Sequence, residues 1–137
     1  MLINILNLHR NNLGSLKRVF KHIGLTSVCI DQVKNIKKGQ GLIIPGVGSF
    51  SSAMSALDSS GGKDRLIEAI HNASFVIGIC LGMQILATSS SEGGSSYGLN
   101  IIPGKVKSFK ETLGYKIPNI GWQKSIFTNP KLFNIEN

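Results

Sequence analysis

One cysteine lies in a setting that suits nucleophilic chemistry. Cys80 stands between Gly78 and Gly82, after the apolar run 75–79 and before the segment 81–87, which we predict to be a helix. A strand, a sharp turn and a helix form a nucleophile elbow, in which flanking glycines let neighbouring backbone come close. The N–H groups and positive dipole at the start of a helix favour the reactive thiolate. We therefore predict that Cys80 is a nucleophile in acyl transfer.

A second glycine-rich turn could bind the negative charge that develops during such a reaction. Gly46 and Gly48 flank Val47 after the predicted strand 41–44. Backbone N–H groups in such a turn can approach an anion, and the N–H of Leu81 could do the same. Both turns fall at predicted strand ends, so we expect them beside one site. A simple tight turn is the alternative interpretation.

A base that would activate the thiol is not evident. Cysteine nucleophiles usually work with a histidine, and His9, His22 and His71 all precede Cys80. We predict that His22 and His71 are structural or surface residues on helices, and only His9 follows a strand close to the expected site. The alternative for Cys80 itself is a small buried hydrophobe, which is our prediction for Cys29.

Alternating strands and helices must position these turns. Apolar runs at 2–8, 27–30, 41–44 and 75–79 predict strands, and helical spacing of apolar residues predicts helices near 13–23, 53–57 and 66–70. The run 75–79 is typical of a strand buried on both faces. This alternation predicts an α/β layered fold, with a mostly parallel sheet flanked by helices.

The chain changes character after residue 87. The Ser- and Gly-rich segment 88–96 predicts a surface loop. Short strands are predicted at 99–102, 105–109 and 115–117, separated by Pro103-Gly104 and Gly114. We expect them to be antiparallel additions at one edge of the sheet.

Length and composition restrict the class of protein. The 137 residues allow one domain, and 42% hydrophobic with 16% charged residues excludes a disordered chain. The apolar runs are shorter than the roughly 18 to 20 residues of a membrane helix, and the amino terminus lacks the pattern of a secretion signal. Two cysteines are too few for a disulfide scaffold or a zinc site. We expect a cytoplasmic protein without membrane contact, metal or cofactor.

The net charge of +8 raises the question of a nucleic-acid partner. The basic residues are scattered along the chain. Within the dense group Lys17, Arg18 and Lys21, the aromatic Phe20 suits the apolar face of a helix better than a base-stacking platform. A solvated basic surface is therefore favoured over nucleic-acid binding.

Longer motifs resemble one enzyme family. The stretch Gly78-Ile79-Cys80-Leu81-Gly82-Met83-Gln84 is similar to the nucleophile motif of class I, or triad, glutamine amidotransferases. Segments 45–54, 98–106, 117–122 and 12–15 resemble one branch of that family, the glutaminase subunit of imidazole glycerol phosphate synthase. The resemblance implies one amidotransferase-like domain over residues 1–137, incomplete at the carboxyl end.

The resemblance also implies a reaction and a set of site residues. Cys80 would attack the side-chain amide of glutamine, form a glutamyl thioester and release ammonia. The oxyanion hole would comprise the backbone around Val47 and Gly48 with the N–H of Leu81. Glutamine recognition would fall to Gly48, Gly82, Gln84 and Glu92, although Glu92 could equally be a solvated loop carboxylate.

The family works with a partner. Ammonia passes into a separate (β/α)8-barrel synthase subunit, and the two subunits form a heterodimer. The resemblance puts four residues on the side that faces this partner: Asn12, Ser15, Asn119 and Trp122. A core or edge aromatic is the alternative for Trp122.

The sequence departs from the family pattern in two places. Asn119 stands where the family usually has the histidine of a Pro-His-x-Gly-Trp stretch. The family's catalytic His-x-Glu pair has no counterpart, because none of the 57 residues after Cys80 (137 minus 80) is histidine. We expect an amidotransferase subunit, shortened at its carboxyl end, with histidine biosynthesis as the favoured pathway. The alternatives are a catalytically degenerate binding module and an amidotransferase of another pathway.

Overall fold

Four parallel strands form the main sheet in the described part of the chain. The computed structural model describes residues 1–8, 13–33, 36–109, 121, 122 and 124. The strands β1 (Leu2–Leu6), β2 (Thr26–Ile30), β3 (Gly41–Gly46) and β4 (Phe75–Cys80) lie in the order β2-β1-β3-β4. Every neighbouring pair is parallel, which confirms the predicted α/β fold. The predicted strand 115–117 lies outside the described residues.

Helices cover both faces of this sheet. Helix α1 (Gly14–His22) follows β1, α2 (Phe50–Ser59) and α3 (Gly62–Asn72) connect β3 to β4, and α4 (Leu81–Gln84) follows β4. Alternate strand residues point to opposite faces, so Ile3 and Ile5 pack with α1 while Leu6 packs in the larger core formed with α2, α3 and α4. No helix in the described part of the chain is long and apolar enough to cross a membrane.

Strand β3 is the buried centre of the sheet and is longer than predicted. All six of its residues are buried, and it continues through Pro45 to Gly46 instead of ending at Ile44. Its pairing with β1 ends at Ile43, while its pairing with β4 continues to Gly46. Proline is tolerated where one side of a strand no longer needs an N–H donor.

Strand β4 is the outermost strand of the main sheet among the described residues, and the prediction that it is buried on both faces is wrong. Ile77 is 48% exposed and Ile79 is 39% exposed. Phe75, on the same face of the strand, packs against the cluster around α1, and the two isoleucines extend beyond that cluster. Apolar character alone could not distinguish this edge position from a central one.

A second, mixed sheet follows α4. Its strands are β5 (Ala87–Ser90), β6 (Ser96–Tyr97) and β7 (Ile102–Val106), in the order β6-β5-β7. The predicted loop 88–96 is therefore largely a hairpin, and the pair β5 and β7 is parallel where antiparallel strands were predicted. Pro103-Gly104 does not separate two strands but lies within β7, where the register shifts opposite β5.

Helix α4 is one turn long, so the predicted helix 81–87 is wrong in extent. The N–H of Leu99 bonds to the carbonyl of Ile85 at 2.8 Å, and the N–H of Ile101 bonds to that of Leu86 at 2.9 Å. These carbonyls therefore serve tertiary hydrogen bonds with the segment 98–102. The distant segment overrides the local helical pattern.

Candidate active site

The two glycine-rich turns meet at the carboxyl ends of β3 and β4. Gly46, the last residue of β3, is paired in register with Cys80, the last residue of β4. The segment 47–49 leads from β3 into α2, and Cys80 leads directly into α4. The two turns are therefore neighbours at the carboxyl ends of the strands, as predicted.

Cys80 has the backbone of a strained turn. Its φ is 55° and its ψ is −120°, backbone angles that residues other than glycine rarely adopt. The residue is exposed, which excludes the buried-hydrophobe alternative. Cys29 is also exposed, so the prediction of a core position for Cys29 is wrong. A tight turn with an accessible thiol is the geometry expected of a nucleophile elbow.

Close backbone contacts hold this turn against β3. A Cβ atom added to Gly82 would collide with the carbonyl oxygen of Ile44, and one added to Gly78 would lie 2.6 Å from the Cα of Met83. A Cβ on Gly46 would lie 2.7 Å from the N of Gly82. The glycines thus allow β3 and α4 to touch, and their contact fixes the position of Cys80.

The predicted oxyanion groups border the same turn. Val47 and Gly48 are exposed, and Gly48 has a φ of 108°. Leu81 has a buried side chain, 1% exposed, and is the first residue of α4, so its N–H has no acceptor within the helix. Backbone N–H groups at such positions can stabilise an oxyanion.

Ser49 fixes the start of α2 directly after the turn 46–48, a role that was not predicted from the sequence. Its Oγ accepts a hydrogen bond from the N–H of Ser52 at 3.3 Å. A serine directly before a segment with helical apolar spacing is the signal that could have identified this cap.

We expect Ser49→Ala to lower the free energy of unfolding by about 1 kcal/mol, measured by urea denaturation. Ser51→Ala, one residue later, is the control, and an equal loss there would contradict the capping role.

The residues predicted to recognise glutamine divide into two groups. Gly82 and the half-buried Gln84 lie on α4, directly after Cys80. Glu92 lies between β5 and β6, half-buried, with its N–H donating to the Oγ of Ser90 at 3.0 Å. Within the described ranges, no hydrogen bond or ion pair joins its carboxylate to the Cys80 turn. A role for Glu92 stays a prediction.

Two of the three histidines lie far from Cys80. His22 ends α1, shortly before β2 begins, and His71 is near the end of α3, shortly before β4 begins. Both therefore adjoin the amino ends of strands. The six residues of β4 span roughly 16 Å to Cys80 at the opposite end. This excludes both as a base, as predicted, while His9 lies outside the described residues.

The structure describes two of the four residues predicted to face a partner. Ser15 is exposed in the first turn of α1, where its Oγ accepts from the guanidinium of Arg18 at 3.0 Å. Because α1 begins after the carboxyl end of β1, Ser15 in its first turn lies toward the carboxyl ends of the strands, as Cys80 does. Trp122 is fully exposed, which argues against a core aromatic. Asn12 and Asn119 lie outside the described residues.

One protein family and two individual relatives match most of this chain in sequence. A family model for the CobB/CobQ-like glutamine amidotransferase domain matches residues 3–117. The imidazole glycerol phosphate synthase subunit HisH of a Geobacillus species is 34% identical and matches 98% of this chain and 67% of its own length. HisH of Chlorobaculum tepidum is 40% identical and matches 81% of this chain and 55% of its own length.

A solved structure shows the same fold. A crystal structure of a glutamine amidotransferase superposes with a TM-score of 0.62 at 19% identity, covering 77% of this chain and 55% of that protein. The chain spans about 55% to 67% of the length of these proteins. The chain therefore belongs to the glutamine amidotransferase family, and among its members it resembles the imidazole glycerol phosphate synthase subunit HisH.

Proposed function

We propose that this chain forms the nucleophile half of a glutaminase site. Cys80 attacks the side-chain amide of glutamine, forms a glutamyl thioester and releases ammonia. The N–H groups of Gly48 and Leu81, with the backbone of Val47, stabilise the oxyanion. Gly82, whose missing side chain lets α4 pack on β3, contributes its backbone to glutamine binding, and Gln84 and Glu92 bind the polar groups of glutamine.

The backbone of Cys80 is the observation that carries this proposal. A positive φ at a non-glycine residue costs energy, and such strain persists where the surrounding structure enforces it. Here the contacts of Gly78 and Gly82 enforce it, and the result is an exposed thiol beside two candidate oxyanion donors. A purely structural cysteine has no need of this arrangement.

A glutamine analogue that carries an electrophile tests the proposal. A chloroketone analogue is expected to add one label to the wild-type chain and to Cys29→Ala, and none to Cys80→Ala, as measured by intact mass. Cys29 is the matched control, because it is the second exposed thiol in the described part of the chain. Retained labelling in Cys80→Ala would refute the assignment.

The ammonia needs an acceptor, and we propose a (β/α)8-barrel synthase subunit that forms imidazole glycerol phosphate in histidine biosynthesis. The similarity to HisH, whose name identifies it as a subunit of that synthase, supports this partner. The proposed interface includes Asn12, Ser15, Asn119 and Trp122. The sequence also leads us to propose that residues 1–137 form one domain and act in the cytoplasm.

A fully exposed indole at an interface should dominate binding. We expect Trp122→Ala to weaken binding to the synthase subunit about 30-fold or more, because a buried Trp is a typical hot spot worth at least ~2 kcal/mol. Titration followed by fluorescence anisotropy measures this. Tyr97, 77% exposed on β6, supplies the control variant Tyr97→Ala. Equal affinities for wild type and Trp122→Ala would contradict the proposed interface.

A further inference from the structure

A separate cavity lies where β1 and β2 end. Its volume is about 600 Å³, within the range of sites that bind small molecules. The ends of the two strands, one side of α2 and the first turn of α3 surround it. Its lining includes no residue of the turns 45–48 or 78–84, so the cavity is distinct from the Cys80 site. The carboxyl ends of parallel strands are where ligands gather in this class of fold.

The floor of the cavity is apolar. Leu6 at the end of β1 and Ala53 and Leu57 on α2 line it, and each has a buried side chain, with at most 7% exposed. The half-buried Leu8 and Val33 continue this apolar surface. An apolar group on a ligand would be favoured at this floor.

The rim carries two opposite charges. Asp31 follows β2, and its Oδ1 accepts a hydrogen bond from Nδ2 of Asn7 at 2.9 Å, which orients the carboxylate. Arg65 lines the cavity from α3. Among the described residues the ion pair within 4.0 Å joins Lys63 to Asp58, so Asp31 and Arg65 are paired neither with each other nor with another described charge. Both remain able to bind a ligand.

We propose that this cavity binds a zwitterionic α-amino acid with an apolar or aromatic side chain. The ligand's ammonium group pairs with Asp31, its carboxylate pairs with Arg65, and its side chain rests on the floor formed by Leu6, Ala53 and Leu57. A fatty acid would leave Asp31 without a cation. A nucleotide would bring phosphate charge close to the Asp31 carboxylate.

Calorimetric titration of the wild-type chain with L-phenylalanine and L-leucine tests the proposal. We expect at least one of them to bind. Two analogues that lack one charge, 3-phenylpropionate and 2-phenylethylamine, should bind about tenfold or more weakly, because a charge-assisted hydrogen bond is lost. Binding should persist in Cys80→Ala, which separates this site from the proposed glutaminase site. Failure of both amino acids to bind, or equal binding of the analogues, would overturn the proposal.

Variants assign the binding to the cavity. Asp31→Asn and Arg65→Gln should each weaken binding about tenfold, whereas Asp58→Asn and Lys63→Gln, which alter charges outside the lining, should not. Ala56 is exposed on the side of α2 that lines the cavity, so Ala56→Trp should block binding without disturbing the core. Unchanged affinity in all three cavity variants, or equal losses in the control variants, would place the ligand elsewhere.

Discussion

The 137-residue chain by itself is expected to release ammonia from L-glutamine about 100 to 10,000 times more slowly than a HisH protein with a complete triad. A cysteine nucleophile needs a base to accept its proton and later to activate water for hydrolysis of the thioester. His22 and His71 lie at the opposite ends of the strands from Cys80, and no histidine follows residue 80. His9 follows β1 but is not part of a His-x-Glu pair, because Asn11 stands where the glutamate would be. Both chemical steps should therefore be slow.

Chemical rescue distinguishes a missing base from an inactive site. Adding imidazole to the wild-type chain should raise the rate of ammonia release measured by a coupled dehydrogenase assay, because free imidazole can act as the base. The same addition should leave Cys80→Ala at background. A rate equal to that of the Geobacillus HisH, measured in parallel without imidazole, would show that the chain already has a base.

Gly82→Ala is expected to have the largest effect on stability among single substitutions near the site. The added Cβ would collide with the carbonyl oxygen of Ile44, in the fully buried strand β3, where the backbone has little room to move. We expect the free energy of unfolding to fall by about 3 kcal/mol or more, since overpacking against backbone costs that much when the site cannot relax. Thermal denaturation should show a loss of roughly 10 °C.

Gly62→Ala supplies the matched control for this substitution. Gly62 begins α3, and an added Cβ would lie 3.0 Å from the Oγ of Ser60, the end of a flexible side chain. We expect the melting temperature of Gly62→Ala to stay within about 2 °C of wild type. Similar stability of Gly82→Ala and Gly62→Ala would show that the contact between β3 and α4 does not hold the Cys80 turn.

The main sheet could be predicted from the sequence because its signals are local. Apolar runs and helical spacing gave β1, β2, α1, α2 and α3 within a few residues. Gly24, just after α1, has the positive φ with which many helices end. The glycines around Cys80 also carried local information. Their spacing required a tight turn, and the structure shows what each of them contacts.

Other features depend on distant contacts that no local pattern reveals. In the described part of the chain, the order of strands puts Ile77 and Ile79 on the outermost strand, although their run is as apolar as that of β3. The carbonyls of Ile85 and Leu86 bond to the segment 98–102, which ends α4 early. The cavity beside Asp31 and Arg65 combines the end of β1, the segments that follow β1 and β2, and two helices, so neither residue attracted notice in the sequence.

The central claim is that the Cys80 turn binds glutamine, and protection of the thiol tests it most directly. The chain is treated with iodoacetamide, and peptide mass spectrometry follows the alkylation of Cys80 and Cys29, which are both exposed, in the same sample. L-glutamine is expected to slow alkylation of Cys80 and leave Cys29 unchanged, whereas D-glutamine should protect neither. Equal alkylation of Cys80 with and without saturating L-glutamine would contradict the account.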